Sequence, residues 1–274
     1  MQIENSPSNS ITDYIRELLE RGSRAVLATV VESRQLIVGA KLLVSEDDER
    51  IGDLGNADLN RAVIEKARAF FSAPEATKAS KVVDFAPELQ HLSDSLILFE
   101  RIEAEPRLVI AGAGHVGASL ARLAALVGYR VTLIDDRAEF VARDLFSAST
   151  EQSIELVAAA SWIDAMRDAI GSGRGVSVAI VTRGHKQDED CLRAAANSNP
   201  DYIGMIGSKR RTNIVLDKLR EEGIADEQLK RVHAPIGLDI GAVSPEEVAL
   251  AILAEIVNER HGGSGASLSA WRRS

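Results

Sequence analysis

Three glycines at positions 112, 114 and 117 form a spacing that suits phosphate binding. They follow an apolar run, residues 107–111, and open a run of helical character. In this spacing Gly112 makes a tight turn, Gly114 lets backbone N–H groups approach a phosphate, and Gly117 lets the helix pack closely on the strand. His115 lies inside the turn, where it can donate to a phosphate or stack on a ring. The alternative is a histidine on the first helical turn that contacts solvent or the other domain. The pattern predicts a loop of the dinucleotide-binding type.

Two carboxylates and a cation end the next apolar run, at Asp135, Asp136 and Arg137. A carboxylate at this point of a nucleotide-binding fold usually accepts hydrogen bonds from a ribose diol, so we expect Asp135 to contact the ligand. Asp136 is expected to be a turn or N-cap residue. Arg137 partly offsets the negative charge that disfavours a 2′-phosphate.

A later apolar run is followed by His185, Asp188 and Cys191. His185 is expected near the same cleft, and it is the one candidate acid or base for hydride-transfer chemistry. The alternative interpretation is a turn histidine before an acidic first helical turn, in which the Asp188 carboxylate interacts favourably with the positive end of the helix dipole. Cys191 is expected to be a small buried residue without redox or metal function.

Two further loops are candidates for ligand contact. Gly207, Ser208 and Lys209 open a helix, where backbone donors, a hydroxyl group and cations coincide as they do in anion sites. A solvated basic surface is the alternative. Asp239 lies between Gly237 and Gly241 in a loop that we expect to need unusual backbone geometry.

These residues need a scaffold that brings strand ends together. From residue 107 onward strands and helices alternate, which predicts an α/β fold with a Rossmann-like doubly wound parallel sheet. Ligands of such folds bind beyond the carboxyl ends of the strands, where the candidate residues lie. The predicted strands are 107–111, 130–135, 153–158, 176–181, 201–206 and 230–233. The last helix is predicted from the N-cap Ser244, Pro245 and Glu247 of a capping box.

The first part of the chain predicts a smaller α+β domain. Its helices are expected from about Ser10 to Gly22 and over 59–71, and its strands over 25–31, 36–44, 81–85 and 95–103. The polar segment before Pro106 marks the boundary. We therefore expect three parts: an N-terminal domain over 1–104, the Rossmann-like domain over 105–261, and a Gly/Ser-rich disordered tail over 262–274.

Composition restricts the classes of partner. The 274 residues carry a net charge of −9, which disfavours binding to nucleic acid or to an anionic membrane. No run approaches the length of a transmembrane helix, and the first residues lack the features of a secretion signal, so a cytoplasmic protein is expected. One cysteine excludes an intramolecular disulfide.

No P-loop, nucleophile elbow or paired-cysteine zinc pattern is found, so the usual hydrolase machinery is missing. No metal site is expected. Two functions outside the hydrolases are open from the residues alone. One is an NAD(P)-dependent oxidoreductase that uses His185 as its catalytic acid or base. The other is a nucleotide-sensing module without chemistry.

Taken in order, these motifs resemble the XdhC/CoxI family, the accessory proteins of xanthine dehydrogenase and related molybdenum hydroxylases. The first half resembles the family through Ala28-Thr-Val-Val31 and Val38-Gly-Ala-Lys-Leu-Leu-Val44. The second half carries the more specific matches, which are Gly112-Ala-Gly-His-Val-Gly117, Asp135-Asp136-Arg137, Thr182-Arg-Gly-His185 with Asp188, Tyr202-Ile-Gly-Met-Ile-Gly-Ser208 and Ala234-Pro-Ile-Gly-Leu-Asp-Ile-Gly241.

The resemblance implies a non-catalytic protein that binds molybdenum cofactor (molybdopterin) as cargo, protects it during sulfuration and delivers it to an apo molybdenum hydroxylase. A cysteine desulfurase is a further implied partner. NAD(P) is the alternative ligand of the Rossmann cleft. We also expect a homodimer through the last helix, whose Val248, Ile252, Leu253 and Ile256 suit an interface and the domain core equally well.

One departure from the family concerns sulfur chemistry. The family usually carries a Gly-Gly-Cys-Glu-like turn in its N-terminal domain, whereas this chain has Gly55-Asn56-Ala57-Asp58 and no cysteine in that half. The resemblance therefore implies a divergent member in which a step that uses this thiol is absent or altered.

Overall fold

A computed structural model of the chain describes residues 7–71, 73, 75–142, 146 and 153–269. The chain divides into two compact units, Met1–Ala104 and Glu105–Ser274.

The first unit is built on a five-stranded antiparallel sheet with two α-helices. The order of the strands across the sheet is β3-β2-β1-β5-β4. The helices are α1 (Pro7–Glu20) and α2 (Ala57–Phe70), and the strands are β1 (Ala25–Glu32), β2 (Lys41–Ser45), β3 (Arg50–Asp53), β4 (Thr77–Lys81) and β5 (Leu96–Ile102).

Strand β1 is the centre of this unit because both of its faces are covered. Ala25 and Leu27 belong to an apolar cluster with α1, whereas Val26, Ala28 and Val30 belong to one with α2. Side chains alternate across a strand, so burial on both faces requires a continuous apolar run.

Two predicted strands of the first unit are wrong in extent. The strand expected over 36–44 begins only at Lys41, because Ser33 Oγ accepts hydrogen bonds from the N–H groups of Gln35 and Leu36 at 3.1 and 3.0 Å and holds a turn there. The strand expected over 81–85 is replaced by a 3₁₀ turn over Val82–Asp84, and β4 precedes it. Strand β3 was not expected, since its residues are mostly exposed and show no apolar alternation.

The second unit is a six-stranded parallel sheet with helices on both faces, which confirms the predicted α/β class. Its strands are β6 (Arg107–Ala111), β7 (Arg130–Asp135), β8 (Ile154–Ala158), β9 (Val176–Ile180), β10 (Tyr202–Met205) and β11 (Val232–His233). Its helices are α3 (His115–Leu126), α4 (Trp162–Ile170), α5 (His185–Ser198), α6 (Lys209–Glu221), α7 (Asp226–Leu229) and α8 (Pro245–His261).

The strand order β11-β10-β9-β6-β7-β8 places the reversal of the chain at β6. The chain runs from β6 outward to β8 and then returns to the other side of β6 with β9. Loops that follow β6 and β9 therefore separate at this point and leave a crevice, which is where open α/β sheets bind ligands.

Helix α8 begins as expected and packs on the core of the second unit. Ser244 Oγ accepts from the Glu247 N–H at 3.2 Å, and Glu247 Oε2 accepts from the Ser244 N–H at 2.9 Å, which confirms the capping box. Ile252, Leu253 and Ile256 are buried in the same apolar cluster as residues of α3. They form the core of this unit, which is one of the two roles that the sequence left open for them, and Val248 packs against the same cluster.

The tail is described only in part. Residues 262–269 contain no regular helix or strand, and residues 270–274, including Trp271, lie outside the described residues. None of the described helices is long and apolar enough to cross a membrane.

Candidate functional site

The glycine loop between β6 and α3 is held close to the neighbouring strand β9. Gly112 has a φ of +110°, and a Cβ atom there would lie 2.6 Å from the carbonyl oxygen of Val181. A Cβ atom at Gly117 would lie 1.8 Å from the carbonyl oxygen of Gly112. Both glycines are therefore required by close backbone packing, in the two roles that the sequence predicted.

Gly114 differs because the space beside it is open. It is the N-cap of α3 with φ −67° and ψ −174°, and no side chain caps the helix. A Cβ atom there would have no neighbour within 4 Å. The first N–H groups of a helix lack internal partners and carry partial positive charge, so this end of α3 suits an anion.

A cleft of about 350 Å³ opens beside this loop. It lies at the carboxyl ends of β6, β7 and β9 and at the start of α4. Its lining comprises Gly112, Gly114, Asp135, Asp136, Arg137, Trp162, Val181, Thr182, Arg183 and Gln187. Three of the predicted site residues, Gly112, Gly114 and Asp135, are thus brought together.

Asp135 is the most buried charged residue of this cleft, with 1% of its surface exposed. Its Oδ2 accepts from the Ala113 N–H at 2.7 Å and from Arg137 Nη2 at 2.9 Å. Its Oδ1 accepts from the backbone N–H and from Nε of Arg137, at 3.0 and 2.8 Å. Burial acts to raise the pKa of Asp135, but the hydrogen bonds from Arg137 and Ala113 outweigh it and lower that pKa. The carboxylate therefore stays ionised and joins the glycine loop to Arg137.

Asp136 lies on the wall of the same cleft and is more exposed. Its Oδ1 is 3.5 Å from Arg183 Nη2 and 3.9 Å from Arg137 Nε. Asp136 lies in the bend that follows β7, which is one of its two expected roles, whereas Arg137 is the N-cap of the 3₁₀ turn Ala138–Val141. The Arg137 guanidinium also lies 3.6 Å from the centre of the Phe140 ring, which further fixes it.

The two predicted histidines each begin a helix beside the switch point. His115 is the first residue of α3, and His185 is the first residue of α5, whose N-cap Gly184 has no side chain to cap it. Both imidazoles are exposed, and neither is among the residues that line the cleft.

Asp188 has a structural partner that the sequence did not indicate. It is fully buried and accepts hydrogen bonds from the Thr182 hydroxyl and from Arg211 Nη2. Burial raises the pKa of Asp188, although Thr182 and Arg211 act in the opposite direction. The ion pair between Asp188 and Arg211, together with the Thr182 hydroxyl, joins the loop after β9 to the first turn of α6.

The loop Gly207–Ser208–Lys209 lies outside the lining of the cleft. Ser208 is the N-cap of α6 and accepts from the Arg211 N–H at 3.3 Å. Lys209 is exposed. Ser208 therefore uses its hydroxyl group for the helix, and Lys209 presents its charge to solvent at the carboxyl end of the sheet.

The loop that contains Asp239 is fixed from α8. Gly237 and Gly241 have φ values of +107° and +73°, which confirms the expected unusual geometry. Glu255 Oε2 accepts from the Gly237 N–H at 2.6 Å and from the Tyr202 hydroxyl at 2.7 Å. Asp239 itself is exposed and does not line the cleft.

In the first unit, the turn at residues 55–58 begins helix α2. Asn56 caps this helix, since its Oδ1 accepts from the Leu59 N–H at 2.9 Å. Asp53 Oδ1 accepts from the Gly55 N–H at 2.7 Å and from Asn60 Nδ2 at 2.8 Å, and these bonds lower the pKa of Asp53. The turn is therefore a hydrogen-bonded polar structure with the exposed methyl group of Ala57 at its start.

Cys191 is fully buried in α5, as the sequence predicted. Burial raises its pKa, and the nearby carboxylates Asp188, Asp190 and Asp136 act in the same direction.

We expect the native Cys191 thiol to react with a disulfide reagent at a rate on the order of 100-fold below that of the denatured chain, because reaction requires local opening. Absorbance of the released thiolate measures this rate, and equal native and denatured rates would contradict the buried placement.

Comparisons with known proteins match both units to one family. A model described as the XdhC Rossmann domain matches residues 108–256, and a model described as the XdhC and CoxI family matches residues 18–85.

Among the described residues no cluster of three or more His, Cys, Asp or Glu side chains is arranged to hold a metal ion.

Three curated relatives match this chain over less than half of their own length. The uncharacterized protein YqeB of Escherichia coli is 30% identical over 91% of this chain and 46% of its own length. A probable xanthine dehydrogenase subunit from Bacillus subtilis is 30% identical over 63% of this chain and 48% of its own length. The molybdenum cofactor insertion chaperone PaoD of Escherichia coli is 28% identical over 56% of this chain and 40% of its own length.

A solved structure shares the fold. The crystal structure described as a xanthine dehydrogenase from Bacillus halodurans covers 94% of this chain and 98% of its own, with a TM-score of 0.50 and 18% identity. At this identity the likeness concerns the fold alone. Because one family model covers more than half of the chain and a second covers much of the first unit, the chain belongs to the XdhC and CoxI family.

Proposed function

We propose that this protein is an accessory protein that binds molybdenum cofactor and delivers it to a molybdenum hydroxylase of the xanthine dehydrogenase type. The observation that carries the proposal is membership of the XdhC and CoxI family, together with a relative named a molybdenum cofactor insertion chaperone. A second relative is named a probable xanthine dehydrogenase subunit, which supports a client enzyme of that class.

The cleft of the second unit fits the phosphate of a pterin cofactor. The uncapped end of α3 offers backbone donors, and the open space at Gly114 admits an anion. Arg183 adds a cation with 55% of its side chain exposed. These donors would stabilise a bound phosphate locally, although the chain as a whole is acidic.

The chain would hold its cargo without a thiolate. Cys191 is its single cysteine, and that thiol is buried with a raised pKa. The proposed binding therefore uses hydrogen bonds and charge at the phosphate rather than a sulfur ligand. A cysteine desulfurase as a second partner belongs to the same proposal and follows from the family resemblance. A homodimer and a cytoplasmic location are proposed with it, from the apolar face of the last helix and from the composition of the chain.

The proposal is tested on protein purified from a host that makes molybdenum cofactor, by the fluorescence of the oxidised pterin. The Gly114→Asp variant is expected to lose about 90% or more of the bound pterin, because a carboxylate at the N-cap would occupy the free N–H groups and repel the phosphate. Aspartate is a favoured N-cap residue, so the helix itself is retained.

Gly114→Ala is the matched control, since it adds a methyl group in open space without adding charge and should retain most of the pterin. Lys209→Glu, outside the cleft, is expected to have a smaller effect than Gly114→Asp. Absence of pterin from the wild-type protein, both as purified and after titration, would overturn the proposed cargo. Pterin binding that survives Gly114→Asp would instead move the cargo away from this loop.

A further inference from the structure

A second open space lies at the opposite edge of the parallel sheet. A groove of about 1490 Å³ opens at the amino ends of β6, β7 and β8, and it shares no lining residue with the cleft beside Gly114. Its polar lining residues are Arg107, Arg130, Thr132, Ser153 and Glu155. Strand β6 runs from this groove to the glycine loop, and its first and last Cα atoms lie about 13 Å apart. The groove is therefore a separate site from the cleft.

Two arginines stand side by side in the groove. Arg107 and Arg130 are cross-strand partners in the register of β6 and β7. Neighbouring strands lie about 4.8 Å apart, so the two side chains begin close together and on the same face of the sheet. Like charges placed opposite each other destabilise a sheet. An anion that bound between them would remove this cost.

Neither guanidinium group is neutralised by a close ion pair. Arg107 Nη2 donates to the carbonyl oxygen of Ala169 at the end of α4, which uses one of five donors. Within the described part of the chain, no carboxylate forms an ion pair with Arg107. Arg130 Nε is 4.0 Å from Glu105 Oε2, and the two side chains are 72% and 73% exposed. An exposed pair at this distance contributes little, so both arginines keep donors for a ligand.

An acceptor lies further along the same face of the sheet. Thr132 and Glu155 are cross-strand partners, and Thr132 Oγ1 donates to Glu155 Oε2 at 3.1 Å. This bond positions the carboxylate, whose Oε1 accepts no hydrogen bond from the residues that the structure describes. Thr132 follows Arg130 by two residues, so the acceptor lies about 6.6 Å along the strand from the arginines.

The charges of the groove define the class of ligand. Two cations lie beside two carboxylates, Glu105 and Glu155, so the groove suits one anionic group with hydrogen-bond donors rather than a polyanion. Two guanidinium groups offer more donors than the two oxygens of a carboxylate require, and they match the three oxygens of a phosphate ester.

We propose that this groove binds a phosphorylated polyol as a second ligand of the chain. Arg107 and Arg130 bind the phosphate, and Glu155 Oε1 accepts a hydrogen bond from a hydroxyl group of the same molecule. The inference depends neither on the molybdenum cargo nor on the cleft, because none of these residues lines the cleft.

The test is calorimetric titration of the full chain with glycerol 3-phosphate, inorganic phosphate and glycerol. It is done in the Gly114→Asp variant, so that phosphate bound at the cleft does not contribute. Glycerol 3-phosphate is expected to bind about tenfold more tightly than either of the other probes, the gain from one hydrogen bond to a charged group. Adding Arg130→Gln should weaken both phosphate compounds about tenfold, whereas adding Glu155→Gln should reduce the preference for glycerol 3-phosphate over inorganic phosphate.

Two controls separate binding from folding. Arg210→Gln removes an exposed cation outside the groove and should leave all affinities unchanged. Without ligand, Arg130→Gln should melt at or above the temperature of its parent, because it removes one of two facing like charges. A lower melting temperature together with unchanged phosphate affinity would assign Arg130 a structural role and overturn the inference.

The inference is also overturned if neither phosphate compound binds, or if Arg210→Gln weakens binding as much as Arg130→Gln does. Binding of pterin to the wild-type protein is measured separately. Failure of the groove would therefore leave the proposed cargo standing, and absence of pterin would leave the groove standing.

Discussion

Gly117→Ala is expected to lower the melting temperature of the second unit by about 4–8 °C, which corresponds to about 2 kcal/mol of lost stability. The added Cβ atom would lie 1.8 Å from the carbonyl oxygen of Gly112, whereas real contacts of this kind stay beyond 3.0 Å. Inserting a methyl group into packed structure costs about 3 kcal/mol at the upper end of the usual range. Alanine has a higher helix propensity than glycine, which recovers about 1 kcal/mol of stability. The net loss of stability is therefore about 2 kcal/mol.

The conflict is with backbone atoms, so a change of side-chain rotamer cannot relieve it. The turn must shift, and with it the Ala113 N–H that binds Asp135. We therefore expect the variant to lose ligand affinity as well as stability. Gly114→Ala is the control, because its Cβ atom would meet no atom within 4 Å and its φ of −67° suits alanine. Thermal unfolding followed by circular dichroism compares the two, and equal melting temperatures would contradict the close packing of β6 and α3.

The four inner strands of the parallel sheet were predictable because they are buried on both faces. Strands β6 and β7 agree with the expected ranges 107–111 and 130–135 at both ends, since each is a continuous apolar run that ends at a glycine or a carboxylate. The start of α8 was predictable for a local reason, namely a capping box. Short edge strands such as β3 lack both signals, and the sequence indicated only a loop there.

The site was predictable in position but not in the partners of its side chains. Strand ends meet at one edge by topology, so Asp135 was expected in the cleft. Which oxygen accepts from which donor depends on backbone geometry that sequence does not contain. Likewise, an apolar face of α8 reads the same whether it meets α3 or another chain, and the structure shows that it meets α3. The partner of Asp188, Arg211, lies on the next helix, beyond the reach of any local pattern.

Arg211→Ala is expected to cost about 3 kcal/mol at neutral pH, because it leaves the Asp188 carboxylate buried without its ion-pair partner. Asp188 has none of its surface exposed, and Thr182 alone cannot replace the charge of Arg211. The Arg211 side chain is 22% exposed, so some water reaches the pair, which places the cost at the lower end of the range for broken buried pairs. Arg210→Ala is the control for loss of a neighbouring exposed cation, and it should change stability by less than about 0.5 kcal/mol.

The pH dependence identifies Asp188 as the origin of that cost. Burial already raises the pKa of folded Asp188 above its ordinary value of 3.8, and removal of Arg211 raises it further. A carboxyl group with a raised folded pKa contributes most to stability below its unfolded pKa, and that contribution is lost as the pH rises through the folded pKa. The destabilisation by Arg211→Ala should therefore be largest near neutral pH and should shrink as the pH falls through the raised pKa of Asp188. In the double variant Arg211→Ala, Asp188→Asn the buried charge is absent. The double variant should therefore be more stable than Arg211→Ala at neutral pH, and its stability should show no such dependence on pH.

Urea unfolding of the wild-type protein and the two variants from neutral to acidic pH measures both effects. A destabilisation that is independent of pH would assign the loss to packing of the arginine stem instead of to the charge of Asp188.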